Sequence, residues 1–136
     1  MKVSIICLTA FLSFVCEEKQ PEPGSLHHFP HGMYSGKYFY TANGTTDSGT
    51  VEIVFRDTSF QCIPINTGHL LPGNGVYDFI DDTLEVMDQS TRKESYNALS
   101  VMEGKFSYLT QGNNLVLIQQ SGSHSVTKKF ELIRTN

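Results

Sequence analysis

Apolar and polar residues alternate in short runs along most of the chain after residue 35. In GTVEIVF (49–55), Val51, Ile53 and Phe55 fall on one side and Glu52 on the other. Successive side chains of a β-strand point to opposite faces, so such runs predict strands with one buried face. The pattern predicts eight or nine strands, at 36–42, 49–55, 58–64, 75–80, 83–88, 98–110, 115–120 and 126–133. The run 98–110 is either one bulged strand or two strands hinged near Gly104.

The links between these runs are short and rich in turn-forming residues. Asp81-Asp82, QGNN (111–114) and SGSH (121–124) are typical of hairpin turns. Only DQSTRKESYN (88–97) has helix-compatible residues, and it has too few apolar side chains to pack a helix. Successive strands joined by hairpins predict an all-β fold, an antiparallel up-and-down barrel of about eight strands, because closure removes exposed edges. A β-sandwich is the alternative.

The first 31 residues have a different pattern. Lys2 precedes a 13-residue apolar run (3–15), which is shorter than the roughly 20 residues of a membrane-spanning helix and fits a signal peptide. The following stretch, EEKQPEPGSLHHFPH (17–31), has three prolines and no periodicity, as expected of an extended tether. The predicted organisation is a signal peptide at 1–15, a lipid-anchored tether at 16–31 and a barrel domain at 32–136.

The three cysteines differ in their predicted roles. Cys7 lies inside the leader, and Cys62 shares a strand face with Phe60, which indicates core packing. Cys16 stands where the apolar run ends and the tether begins, so we expect it to carry the lipid anchor. A Cys16–Cys62 disulfide is possible if Cys16 stays in the mature chain, although the spacing does not favour it.

Three longer stretches together support the prediction of a lipid-anchored barrel. They are GMYSGKYFYT (32–41), GNGVYDFIDDTLEVMD (73–88) and ALSVMEGKFSYLTQGNNLVLIQQ (98–120). Their order resembles that of small lipocalin-like barrel lipoproteins of the Bacteroidota. A Gly-x-Tyr-x-Gly opening there leads to a Gly-x-Tyr strand and then to a Leu-x-Gly-x-Phe-x-Tyr strand. Gly36-Lys37-Tyr38 takes the place of the Gly-x-Trp of typical lipocalins. The resemblance implies an exported protein, lipid-anchored at the bacterial outer membrane or cell surface, and no particular activity.

Charge excludes one class of partner. The net charge is −4, and Lys128-Lys129 and Arg92-Lys93 are the only adjacent basic pairs, which we expect to be solvated. A nucleic-acid partner normally requires a basic face, so none is expected.

The sequence contains no strong catalytic or metal-binding motif. His27, His28 and His31 lie in the tether around a proline, without an accompanying acid or cysteine, so we expect neither a metal nor another cofactor. His69 and His124 are isolated in predicted loops. An acidic group near one turn (Asp78, Asp81, Asp82 and Glu85) could serve acid–base hydrolysis, but Asp-Asp at a hairpin is more simply a turn. We therefore expect a protein that is not an enzyme.

Nine aromatic residues are predicted to face inward, and an eight-stranded barrel has room for side chains or for one small ligand. A solid interior is the simpler expectation. If a pocket exists, Tyr77, Phe79, Phe106 and Tyr108 are its expected apolar lining. Two functions follow: a barrel that binds a small apolar ligand, or a solid module, structural or inhibitory, that binds an envelope protein through its loops at 43–48, 65–74 and 88–97.

Overall fold

The computed structural model describes residues 31–66, 69–92, 100–121 and 126–135. These ranges contain eight strands: β1 (Gly32–Ala42), β2 (Thr45–Arg56), β3 (Ser59–Asn66), β4 (Gly73–Ile80), β5 (Thr83–Asp88), β6 (Gly104–Gln111), β7 (Asn114–Gln120) and β8 (Val126–Arg134). The same ranges hold no α-helix. In this part of the chain, no helix is long and apolar enough to span a membrane. The predicted signal peptide, Cys16 and nearly all of the tether lie outside the described residues.

The strands form one closed antiparallel barrel in chain order. Each strand pairs with the next, and β1 pairs with β8, from Tyr34 opposite Arg134 to Ala42 opposite Val126. Closure leaves the sheet without a free edge, which is the physical reason for preferring a barrel to an open meander. The predicted up-and-down barrel is confirmed, and the sandwich alternative is wrong. The architecture is compatible with a lipocalin-like fold.

The two ends of the barrel differ in their connections. The turn end has two-residue links at 57–58, 81–82 and 112–113, together with the start and finish of the domain at His31 and Thr135. The opposite end, here called the loop end, has the 43–44 turn and the three longer connections after β3, β5 and β7. Asn43 and Gly44 have φ values of 50° and 78°, as a tight hairpin turn requires, so this Asn-Gly pair is a turn.

The strand boundaries correct the sequence prediction in two places. Residues 100–103 are not a strand; β6 begins at Gly104, whose φ of 103° breaks the extended conformation. Residues 45–48, 65–66 and 73–74 belong to strands, so the predicted loops 43–48 and 65–74 are shorter than expected. Backbone pairing with a neighbouring strand continues at most of these positions, because main-chain hydrogen bonds do not depend on side-chain polarity.

Aromatic rings form two series in the core, together with aliphatic side chains such as Ile53, Leu84 and Leu117. One series of neighbouring rings runs Tyr34, Phe55, Tyr77, Phe79 and Tyr108, with centroids 5.3–5.9 Å apart and steep, edge-on interplanar angles. A second series joins Tyr38, Phe130 and Phe106. Edge-to-face contacts at these distances are the favoured geometry of packed rings.

Candidate functional site

The four residues predicted to line a pocket all belong to these ring series. Tyr77, Phe79 and Tyr108 are consecutive members of the first, and Phe106 packs on Phe130 in the second. Phe106 and Tyr77 are buried, whereas Phe79 and Tyr108 are partly buried and pack against the core. These four rings therefore contact core neighbours and fill interior space, so a ligand among them would have to displace packed rings.

Three clefts lined by described residues open on the outside of the barrel. Their volumes are about 400, 260 and 540 Å³. Only Tyr108 of the predicted lining residues borders one of them, the smallest cleft, with Asp82, Leu109 and Thr110 at the turn end.

At the loop end, the interior changes from apolar to polar. Tyr40 on β1 lies opposite Asp47 on β2 and opposite Lys128 on β8, and Lys128 lies opposite Gln119 on β7. These four residues share the inward-facing parity of their strands and form one level across four adjacent strands. We call them the polar row.

Lys128 is the most unusual member of the polar row. It is only 2% exposed, and its Nζ donates a hydrogen bond to the Val101 carbonyl oxygen at 2.8 Å. Burial lowers its pKa to about 8, although the nearby Glu103 carboxylate acts in the opposite direction. The expectation that Lys128-Lys129 is a solvated pair is wrong for Lys128, which lies on the same strand face as Phe130 and Leu132. Lys129 lies on the other face and pairs with Glu131.

The polar row holds a short segment across the loop end of the barrel. In this closing segment, Ser100–Glu103, Val101 and Met102 are almost completely buried. Gln119 Nε2 donates to the Glu103 carbonyl oxygen at 2.8 Å, and the Leu71 amide donates to the Ser100 carbonyl oxygen at 2.7 Å. With the Lys128 contact, these bonds attach the segment to β7, to β8 and to the connection after β3.

A second polar group lies near the closing segment, around Asp88. Asp88 accepts hydrogen bonds from the Ser90 amide and from Arg92, and its side chain is 3% exposed. Burial alone would raise the pKa of Asp88, but the bonds from Ser90 and Arg92 outweigh it and hold that pKa below its usual range. Arg92 was expected to be solvated, and this expectation is wrong because the ion pair with Asp88 holds its side chain at 13% exposure.

Two further polar groups lie inside the barrel. The Tyr38 hydroxyl is buried and has no hydrogen-bond partner among the described residues, and burial raises its pKa above the usual value. Cys62 is a free thiol at 1% exposure, which confirms its predicted place in the core beside Phe60. Burial raises the pKa of Cys62 to about 12, so its reactive thiolate form is disfavoured at neutral pH.

The predicted acidic group does not form an enclosed site. Asp78 and Glu85 lie opposite each other on β4 and β5, on the outer face of the barrel. Asp78 is exposed and accepts a hydrogen bond from the Phe79 amide at 2.8 Å. Asp81 and Asp82 form the turn between these strands, and the φ of 54° at Asp81 agrees with the turn interpretation.

The described residues contain no cluster of three or more His, Cys, Asp or Glu that could hold a metal ion. His69 is exposed and lies 3.4 Å from the Asp47 carboxylate at the edge of the polar row. His27, His28 and His124 lie outside the described residues.

Sequence reasoning missed the polar row and the Asp88–Arg92 pair, although alternation carried a signal for both. Lys128 precedes the inward-facing Phe130 by two positions, and Asp88 follows the inward-facing Val86 by two. Because side chains along a strand alternate with a period of two residues, the sequence pattern places both charged residues on the buried face.

Comparisons with known proteins give no identification. No family model matches the chain, and neither a curated protein nor a solved structure is significantly similar to it.

Proposed function

We propose that this chain is a non-enzymatic, lipid-anchored protein of the bacterial cell envelope whose barrel presents its loop end to an envelope protein. The observation that carries the proposal is the separation of the two barrel ends. Residue 31, where the anchored tether would arrive, is at the turn end, and the three connections proposed to contact a partner are gathered at the loop end.

The length of the tether is compatible with this arrangement. Fourteen residues lie between Cys16 and His31. An extended, proline-rich chain spans about 3.1 Å per residue, so these residues reach up to about 45 Å. An anchor on Cys16 would hold the turn end nearer the membrane and leave the loop end accessible.

Contacts at the loop end also support a protein partner. Leu71, in the connection after β3, is 36% exposed, although its amide is fixed to the closing segment. Ile65 and Met87 are 57% and 52% exposed near the same end. Apolar side chains held in a fixed, exposed position are typical anchors of protein interfaces.

Mass spectrometry of the native protein tests the anchor. We expect a mature chain that begins at Cys16 and carries added acyl mass on that residue. A mature N-terminus beyond Cys16 without acyl mass would refute the lipid anchor. It would not test the protein partner, which the next experiment addresses.

Site-specific photo-crosslinking in intact cells tests the partner. Benzoylphenylalanine at position 71 should capture one envelope protein, and the same probe at position 82, at the turn end, should not. The captured protein should then bind the purified barrel, and Leu71→Asp should weaken that binding at least tenfold. Equal capture from both positions would contradict binding through the loop end.

A small ligand is the second candidate, favoured by one observation. The buried Tyr38 hydroxyl has no partner among the described residues, and an unsatisfied buried hydroxyl is costly. A ligand with a hydrogen-bonding group could satisfy it beneath the closing segment. Native mass spectrometry checks this idea: a co-purified small molecule that is lost in Tyr38→Phe supports it, and a ligand-free barrel opposes it.

A further inference from the structure

The outer face formed by β6, β7, β8 and β1 carries an apolar group near the turn end. Leu109 and Ile133 are 66% and 57% exposed, and Met33 is 36% exposed. Val116 and Ile118 on β7 lie between them at intermediate exposure. We call these five residues the outer patch.

The register makes the outer patch continuous. Leu109 lies directly opposite Val116, and Asn114, two residues before Val116, lies opposite Ile133. Directly opposed residues have Cβ atoms about 5 Å apart, and diagonal neighbours about 7–8 Å apart, within reach of each other's side chains. The exposed apolar surface therefore crosses three neighbouring strands.

Outward-facing charges are distributed unequally around the barrel. On β6, β7, β8 and β1 they are Lys105, Lys129, Lys37 and one acid, Glu131, so this face has a net charge of +2. Glu131 pairs with Lys129 and lies opposite Lys37. The strands on the other side carry the acids Glu52, Asp78 and Glu85 and one base, Arg56, outward, and their turns add Asp57, Asp81 and Asp82. Glu85 lies opposite Lys105, at the boundary between the two faces. A basic face is thus present on a chain whose overall net charge is −4.

The entry of the chain into the barrel is next to the outer patch. Arg134 Nη2 donates to the His31 carbonyl oxygen at 2.7 Å, and the Thr135 amide donates to the Met33 carbonyl oxygen at 2.8 Å. His31, the first described residue, is therefore held between β1 and β8, the two strands that carry Met33 and Ile133.

We propose that the outer patch rests on the surface of an anionic phospholipid bilayer, with its apolar side chains in the headgroup region. Lys37, Lys105 and Lys129 of the same face then lie near the lipid phosphates. The proposal deepens the proposed function, since the membrane is the one that would hold the anchor on Cys16. Apolar residues surrounded by lysines are the combination that binds proteins to membrane surfaces. Asp78, on β4 across the barrel from β8, then faces away from the anionic surface, whereas Asp82 borders the same cleft as Leu109.

A cleft of about 540 Å³ in this face provides space for lipid. It is bordered by the apolar residues Val116, Leu132 and Ile133, and by Lys37 and Glu131, which lie opposite each other. The cleft therefore offers apolar walls for the start of an acyl chain, with one basic and one acidic group at its border.

Tryptophan fluorescence tests the proposal cleanly because the chain contains no tryptophan. The full-length protein carrying Leu109→Trp is reconstituted into vesicles of equimolar phosphatidylcholine and phosphatidylglycerol. The matched control is Met87→Trp, which is similarly exposed on β5 at the other end. We expect a blue-shifted emission and at least twofold quenching by brominated phosphatidylcholine for residue 109, and neither change for residue 87.

Charge reversal provides a second measurement. The double change Lys37→Glu with Lys105→Glu, in the Leu109→Trp protein, should abolish most of the quenching in anionic vesicles, with an unchanged circular dichroism spectrum. Equal, unquenched emission from positions 109 and 87 on vesicles that hold the protein would overturn the proposal and assign the outer patch to a protein partner instead. That result would not bear on the acylation of Cys16, which mass spectrometry tests. The lipid anchor and the membrane contact of the outer patch can therefore be refuted independently.

Discussion

At the scale of single residues, the unusual feature of this barrel is charge buried at the loop end. Lys128 donates to a neutral main-chain carbonyl, whereas Asp88 is buried with its counter-ion Arg92. The two environments move the pKa values of Lys128 and Asp88 below their usual ranges for different reasons, desolvation in one and hydrogen bonding in the other. Each produces its own dependence of stability on pH.

Lys128 should make the barrel more stable as the pH rises from 8 to 9. The unfolded chain keeps its lysine proton up to about pH 10.4, whereas the folded chain loses it near pH 8. Because the unfolded state then binds more protons, the free energy of unfolding increases with pH, by about 1 kcal/mol over this interval. Urea titrations at both pH values measure it, and Lys128→Met should remove the increase. If the unfolding free energies of wild type and Lys128→Met changed equally between pH 8 and pH 9, Lys128 would not be buried.

The Cys62 thiol has the opposite effect at higher pH. Its folded pKa of about 12 lies above that of the unfolded chain, so stability falls once the unfolded thiol ionises, from about pH 9 upward. The opposing effects of Lys128 and Cys62 predict that the free energy of unfolding is greatest near pH 9.

Asp88→Asn should destabilise the barrel by about 2–4 kcal/mol at pH 7. The change leaves the buried Arg92 guanidinium without its carboxylate, and breaking a buried pair from one side is costly. Asp82→Asn, in an exposed turn, is the control and should change stability by less than about 0.5 kcal/mol.

The stabilising contribution of the Asp88 carboxylate is present above pH 4 and is lost as the pH falls through its lowered pKa. The difference in unfolding free energy between Asp88→Asn and wild type should therefore shrink in acid. A constant difference from pH 7 to pH 3 would contradict the ion pair.

At the scale of elements, the link between β5 and β6 determines how the loop end is closed. The alternation of VMEGKFSY is compatible with a strand through residue 110, and the two possibilities near Gly104 could not be separated from sequence. In the structure, Gly104 has a φ of 103°, and it ends the closing segment where Gln119 contacts Glu103. A glycine here lets the chain leave the barrel wall and turn inward.

Gly104→Ala should cost about 2–3 kcal/mol of unfolding free energy, because the φ of 103° is strained for an L-residue. The new Cβ would also displace the end of the Gln119 side chain, 2.2 Å away, from its hydrogen bond to the Glu103 carbonyl oxygen. The control is Gly112→Ala, which also has a positive φ, of 58°, but no neighbour within 4 Å, and should cost about 1 kcal/mol. Chemical denaturation of both variants gives the comparison, and equal losses would mean that the Gln119 contact is unimportant.

At the scale of the whole molecule, the barrel is closed by pairing that joins the two ends of the domain. β1 pairs with β8, and the ring series cross the interior between strands that are distant in sequence, such as Tyr38 and Phe130. A core shared by all eight strands should unfold as one cooperative unit. The four residues predicted to line a pocket, Tyr77, Phe79, Phe106 and Tyr108, belong to this cooperatively unfolding core.

Phe106→Ala should therefore destabilise the whole barrel by about 3–5 kcal/mol, because Phe106 is fully buried against Phe130 and its removal leaves a cavity. Tyr108→Ala, at the partly exposed end of the other ring series, should cost less than half as much. Thermal and urea unfolding followed by circular dichroism should show one transition in both cases. A small loss at Phe106 would instead indicate an interior that already contains space for a ligand.

The sequence by itself determined the all-β class, the barrel expectation, most strand positions and several turns. These follow from alternation and turn chemistry, which act over a few residues. It also placed Cys62 and the large rings on inward faces. Successive antiparallel strands alternate in direction, which already places the longer connections together at the end opposite residue 31. Tertiary structure alone decided that Lys128 meets Val101, and that the lysines of β6, β8 and β1 share a face with Leu109 and Ile133. Those arrangements depend on the register with which β1 closes on β8, a sum of contacts between distant strands that no local pattern contains.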